Sequence, residues 1–169
     1  IPPSPNIPSL ETSYLYASLC LLEATNLSEG RGTDFPFKQI GAPWFKPELL
    51  NFPFEEFGLC AEPISFTPKT IKGKAQSPKF ENQLCNGLKL DLIDLDQFKS
   101  DLFIANFLKR ISETHAEFQI DSNSLARLSG NTWLKHLIDG KITFQEYASQ
   151  LESDFKAFEK LRTPYLRYK

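Results

Sequence analysis

The sequence predicts an α+β domain: a small, mostly antiparallel or barrel-like sheet from the first half, covered by helices from the second half. Leu88, Leu90 and Leu92 alternate with Lys89 and Asp91, the period of two that buries one face of a strand. Beyond Asp96 the apolar residues recur instead at helical spacings of three and four. A chain of 169 residues suits one domain able to bury roughly 70% of its unfolded surface, so a conventional core needs no staples.

Taken in order, Ile1 to Pro8 is dense in proline, which cannot donate to a backbone ladder, and predicts an extended interdomain strap. Residues 1–17 are read as that strap and its entry, and residues 18–169 as a single domain. The apolar residues 19–24 predict a buried strand, and residues 62–67 another. Pro47-Glu48-Leu49-Leu50 and Pro53-Phe54-Glu55-Glu56-Phe57-Gly58 predict short helical turns, with proline at the start and glycine at the stop. Residues 69–82 read as a polar loop. From Asp96, the stripe Phe98, Leu102, Ala105 and Leu108 is widened by Phe103, Ile104, Phe107 and Ile111, which predicts a helix covered on two sides. Residues 122–128 and 132–138 predict shorter helices broken at Gly130, and Thr143-Phe144-Gln145-Glu146 is a capping box. The last helix follows, with Phe144, Tyr147, Leu151, Phe155, Phe158 and Leu161 predicting one buried face.

With 19 basic and 21 acidic side chains the formal charge is only -2, so neither nucleic acid nor an anionic membrane surface is implied as a partner. Any bound anion must be met locally. No apolar run approaches the roughly 18 residues of a membrane span, and the first residues lack the charged and apolar regions of a signal peptide. The absence of Met and the proline-rich opening predict a piece of a longer protein, with any export signal upstream. Cys20, Cys60 and Cys85 lack the paired spacing of a zinc site; buried free thiols are favoured over a disulfide, which would leave one thiol over. His115 and His136 are isolated and read as structural or surface residues. No metal and no cofactor is expected.

Ser28-Glu29-Gly30-Arg31-Gly32-Thr33 packs two charges, two hydroxyls and two glycines into six residues. Glycines let backbone approach a ligand, Arg offers a planar fork to a carboxylate or phosphate, and Glu accepts hydrogen bonds or a proton. The stretch reads as a recognition loop. It lacks the Lys-Ser/Thr ending of a phosphate-cradling P-loop. The competing reading is a tight turn in which Arg31 pairs with Glu29 or Asp34 and nothing binds.

In order along the chain, Pro3-Ser4-Pro5-Asn6-Ile7-Pro8-Ser9, Glu23-Ala24-Thr25-Asn26-Leu27-Ser28-Glu29-Gly30-Arg31-Gly32-Thr33, Gly41-Ala42-Pro43-Trp44, Ser65-Phe66-Thr67-Pro68 and Leu161-Arg162-Thr163-Pro164-Tyr165-Leu166 resemble the C-terminal half of the exo-β-N-acetylmuramidase family. One departure is Ala24, where the family pattern has glycine. The resemblance implies a peptidoglycan-recycling glycoside hydrolase that removes N-acetylmuramic acid from the non-reducing end of cell-wall fragments. It implies an upstream Rossmann-like domain that supplies the proposed catalytic carboxylates, a site in the cleft between the two domains, and an extracytoplasmic location in a bacterium. No catalytic residue is assigned within this chain.

N-Acetylmuramic acid carries a lactyl carboxylate, for which Arg31 is the natural cation. Asn26, Ser28 and Thr33 are candidates for sugar hydroxyls or the acetamide, Trp44 for a sugar ring, and Glu29 for orienting Arg31 or binding a hydroxyl. Bland readings compete: Trp44 as a core or domain-interface aromatic, and Glu23 as a turn cap or salt-bridge partner. The preferred function is the substrate-side part of an exo-acting muramidase, with the peptidoglycan-derived sugar and the upstream domain as partners. The alternative is a noncatalytic carbohydrate- or anion-binding module, or a domain-interface module.

Overall fold

The first regular element is a helix where the sequence predicts the strap's entry. In the computed structural model, which describes residues 2–167, α1 (Leu10–Leu19) begins at Ser9, whose hydroxyl accepts from the Thr12 backbone N–H at 3.1 Å. Its buried side is Thr12, Leu15, Ser18 and Leu19. Half of that side is polar, so no apolar stripe announces it. Residues 2–8 fold back as a turn, with the Ile7 N–H donating to Ser4 O at 2.9 Å, and the Asn6 amide donates to Lys74 O at 2.6 Å. Ile1 of the predicted strap lies outside the described residues, as do 168 and 169 of the predicted domain.

Residues 20–24, predicted as a strand, instead form a 3₁₀ turn (Cys20–Ala24) that continues α1. Leu21, Leu22 and Ala24 are buried there, and a short apolar run bounded by polar residues does not distinguish a buried strand from a buried helical turn.

Three antiparallel strands, β1 (Gln39–Ala42), β2 (Leu59–Phe66) and β3 (Cys85–Leu92), form an open sheet in the order β1-β3-β2. It does not close into a barrel, because β1 and β2 both pair with β3 and the described strands provide no further partner. Leu88 and Leu90 are buried as their alternation predicts, and Leu92 is half-buried. β2 begins three residues before the predicted strand, and β1 was not predicted at all. Pro47–Leu50 (α2) and a 3₁₀ turn at Phe54–Phe57 lie between β1 and β2, the latter stopped by Gly58 in the left-handed region.

The second half is helical as expected: α3 (Ser100–Thr114), α4 (Ser122–Ser129), α5 (Trp133–Ile138) and α6 (Phe144–Arg162). Gly130 caps α4 in the left-handed region, and the Thr143–Glu146 capping box is formed. Phe103, Ile104, Ala105, Phe107, Leu108 and Ile111 of α3 are all buried, α1 packing against one side and α5 against another. A single core joins α3 to Leu15 and Leu19 of α1 and to Ile40, Leu59 and Leu90 of the sheet. Charge secures the same junction. Lys38 donates to Glu11 at 2.6 Å and contacts Asp91 at 2.8 Å, while Glu11 accepts from the Leu92 N–H at 2.9 Å.

The predicted buried face of α6 is covered at only two of its six residues, and Phe144 at its start is exposed. Tyr147 is buried and Leu151 half-buried, but Phe155, Phe158 and Leu161 are 61%, 58% and 70% exposed. Helical period reports that a face wants cover, not that the same domain supplies it.

Candidate functional site

The chain leaves the Cys20–Ala24 turn and immediately becomes a scaffold of side-chain clamps. Thr25 donates to Leu22 O at 2.8 Å and accepts from the Leu27 N–H. Asn26 accepts from the Gln119 N–H and donates to Glu117 O, both at 2.8 Å, and so ties this segment to the loop after α3. Ser28 pairs with Gly41 of β1, and its hydroxyl accepts from the Gly30 N–H. Gly30 and Gly32 stand at φ +78 and +82, where added Cβ atoms would lie 2.5 Å from Gln39 O and 2.6 Å from Lys69 O. The glycines therefore serve the turn itself. Thr33 donates to Gly30 O at 2.7 Å and accepts from the Phe35 N–H, closing the loop.

What this scaffold presents is a set of charges. Glu29 is 4% exposed, and one of its oxygens accepts from Lys79 Nζ at 3.0 Å. Lys79 also donates to Leu22 O at 2.7 Å and Leu27 O at 3.0 Å, stapling the 69–82 loop onto the 22–29 segment. Arg31 remains half-exposed and reaches Glu23 only at 3.8 Å. Among the described residues its guanidinium makes no hydrogen bond. Glu23, Glu29, Arg31 and Lys79 line one pocket of about 250 Å³ together with residues 75–78. Tyr16 lies within reach of the same charges: burial, then Cys20 and Glu23, push its phenol up, with Arg31 opposing.

Of the predicted site residues, Glu29 and Arg31 come together here. Asn26 and Ser28 are occupied by the clamps above, and Thr33 lines a separate depression with Gly32 and Lys69. Trp44 packs edge-on to His115, with ring centroids 5.8 Å apart, and against Phe118, away from the pocket lining. Lys79 and Tyr16 were missed. Lys79 sits in a loop without periodicity, and no sequence signal marks it.

The cysteines and His115 are not among the residues that line this pocket. Cys20, Cys60 and Cys85 are all free, but Cys60 is exposed where buried thiols were expected; burial pushes Cys85 up to about 11. His115 is buried against Phe45, its Nε2 accepting from the Lys46 N–H at 3.1 Å. Burial lowers its pKa from 6.5. The folded state thus resists a proton that the unfolded state accepts, and stability should fall as pH drops below about 6.5. His115→Gln, which keeps an acceptor but does not titrate, should flatten the melting midpoint between pH 7 and 5. The loss from carboxylates held below 4.5, such as Glu146 hydrogen-bonded by the Thr143 N–H and hydroxyl, should persist at lower pH.

The family model for the C-terminal domain of the exo-β-N-acetylmuramidase NamZ matches residues 14–168. The chain belongs to the NamZ C-terminal family. The peptidoglycan β-N-acetylmuramidase NamZ of Bacillus subtilis (strain 168) is 32% identical over 171 residues, covering 98% of this chain and 40% of that protein. Two crystal structures of DUF1343 family proteins from Bacteroides fragilis share the fold, with TM-scores of 0.75 at 28% identity and 0.77 at 17%. Each covers 100% of this chain, but the chain spans only 44% and 45% of theirs. This NamZ C-terminal domain accordingly spans less than half the length of these relatives. Its departure at Ala24 costs no backbone strain, since Ala24 is not among the positive-φ residues and its methyl is buried in the core.

Proposed function

We propose that this chain is the substrate-side part of an exo-acting glycoside hydrolase that releases terminal N-acetylmuramic acid from peptidoglycan fragments, working outside the cytoplasm of a bacterium. The observation that carries the reading is Arg31: a half-exposed guanidinium, loosely paired with Glu23 at 3.8 Å, at a pocket whose second cation is already engaged with Glu29. Arg31 exchanges the weak Glu23 contact for a bidentate pair with the lactyl carboxylate. Glu29, held by Lys79 through one oxygen, offers the other to a sugar hydroxyl or the acetamide N–H. Glycoside hydrolysis ordinarily uses two carboxyls flanking the scissile bond. On this reading an upstream domain supplies them, and the chain by itself is inactive. Membership of the NamZ family supports the substrate class, because the Bacillus subtilis relative is a peptidoglycan β-N-acetylmuramidase.

Arg31→Lys tests the assignment in the full-length enzyme, since Lys keeps the charge but loses the fork. It should lower kcat/KM on an N-acetylmuramic acid glycoside on the order of a hundredfold. On the analogue lacking the lactyl group the loss should be much smaller. Equal losses on both substrates would show that Arg31 does not read the carboxylate.

A further inference from the structure

We infer that the C-terminal half of α6 is an arm that docks onto the upstream part of the same polypeptide. The inference rests on the reading that this protein, like its relatives, carries such a part. On α6, Tyr147, Leu151, Phe155 and Phe158 follow one another at spacings of four, four and three, so they form one continuous stripe. The domain's own core covers the stripe at Tyr147 and reaches Leu151, then stops. From residue 152 to 162 every position but Glu159 is exposed, and the bare stripe continues through Leu161 to Tyr165 and Leu166, which are 83% and 51% exposed.

The arm needs no nucleus of its own, since it continues a helix of 19 residues whose first half is packed. What it lacks is cover, because its stripe places two Phe side chains in solvent. Something else covers it.

Three observations select the occupant. Both solved relatives match this chain over its whole length, α6 included, within chains of which it forms only 44% and 45%. More than half of each relative is therefore available as a surface on the same polypeptide. The arm carries Glu152, Asp154 and Glu159 against Lys156, Lys160 and Arg162, so it has no net charge with which to select an oppositely charged partner. Finally, its exposed apolar side chains offer on the order of 500 Å², about the apolar share of a standard interface of roughly 800 Å² per partner. A domain tethered on the same polypeptide outcompetes a separate molecule for such a stripe, because the linker holds it at an effective concentration in the millimolar range. A small, neutral, apolar stripe suits an intramolecular contact.

The test is hydrogen exchange on the full-length protein, followed through residues 152–162 at two protein concentrations. The arm's amides should be protected at least about a hundredfold over the exchange of an unpacked helix, independently of concentration. Phe155→Ser/Phe158→Ser should abolish that protection, while Lys156→Ser, on the opposite side of α6, should leave it intact. Unprotected amides in the wild-type protein overturn the inference, and so does protection that grows with concentration, which would assign the arm to a second copy. Muramidase activity is read separately. A protected arm in an inactive protein sinks the proposed function alone, and an active protein with a freely exchanging arm sinks this inference alone.

Discussion

Phe103→Ala should destabilise the domain by about 3–5 kcal/mol, through lost transfer energy and the cavity left behind. Phe103 is fully buried and stacks on Phe107 at 5.6 Å, with Phe52, Phe57 and Phe98 within 6.0 Å of its ring. Those neighbours come from α3, the Phe54–Phe57 turn and the segments flanking them, so no single side chain can swing in to fill the gap. Phe155→Ala, one of the six apolar residues predicted to form a buried face, should cost this chain less than about 0.5 kcal/mol, as a surface change does. Chemical denaturation of the two variants gives the comparison. A similar cost for both would show that the α6 arm packs on its own domain, and a small cost for Phe103→Ala would show that the aromatic cluster collapses without penalty.

The second large effect concerns Lys79. Lys79→Met removes the only side-chain donor to Glu29 among the described residues and strips Leu22 O and Leu27 O of a partner. Glu29 has a side-chain exposure of 5%, so its carboxylate would be left buried and uncompensated. Removing one member of a buried pair costs about 3–5 kcal/mol, and the 28% exposure of Lys79 argues for the lower end, about 3 kcal/mol. Adding Glu29→Gln should recover part of that loss, giving a coupling of about 1 kcal/mol or more. Strict additivity in the double-mutant cycle would mean that Lys79 acts through the two carbonyls alone. The proposed function makes a further demand: Lys79→Met should weaken substrate binding even where the protein remains folded, because Glu29 would lose its anchor.

The comparison of expectation with structure turns on how local each signal is. The Thr143–Glu146 cap, the Gly58 and Gly130 stops, the buried side of α3 from Phe103 to Ile111 and the alternation in β3 are written within a few consecutive residues, and the structure contains them, although Phe98 of the predicted stripe precedes the helix and Leu102 is only half-buried. α1 escaped because its buried side includes Thr12 and Ser18, which satisfy themselves by hydrogen bonds to Ser9 and Leu15 and leave no apolar period. β1 escaped because it is four residues long and two of them are Gly41 and Ala42, which carry no apolar side chain beyond a methyl. The 28–33 loop was legible as a dense polar segment, but its glycines answer to positive φ, and Asn26, Ser28 and Thr33 hold backbone in place.

By itself, then, the sequence determined the fold class, the helical second half, the loop that carries Glu29 and Arg31, and the family resemblance, since each is encoded in short-range spacing or in an ordered set of motifs. Only the tertiary structure decided which loop residues face a pocket and which are clamps. It also revealed that Lys79, 50 residues away in sequence, fixes Glu29, and that the apolar face of α6 runs off the domain. The reason is physical: periodicity and residue type specify what a side chain requires, a partner or an escape from water. Which group meets that requirement depends on contacts between segments distant in the chain, and these exist only once the chain has folded.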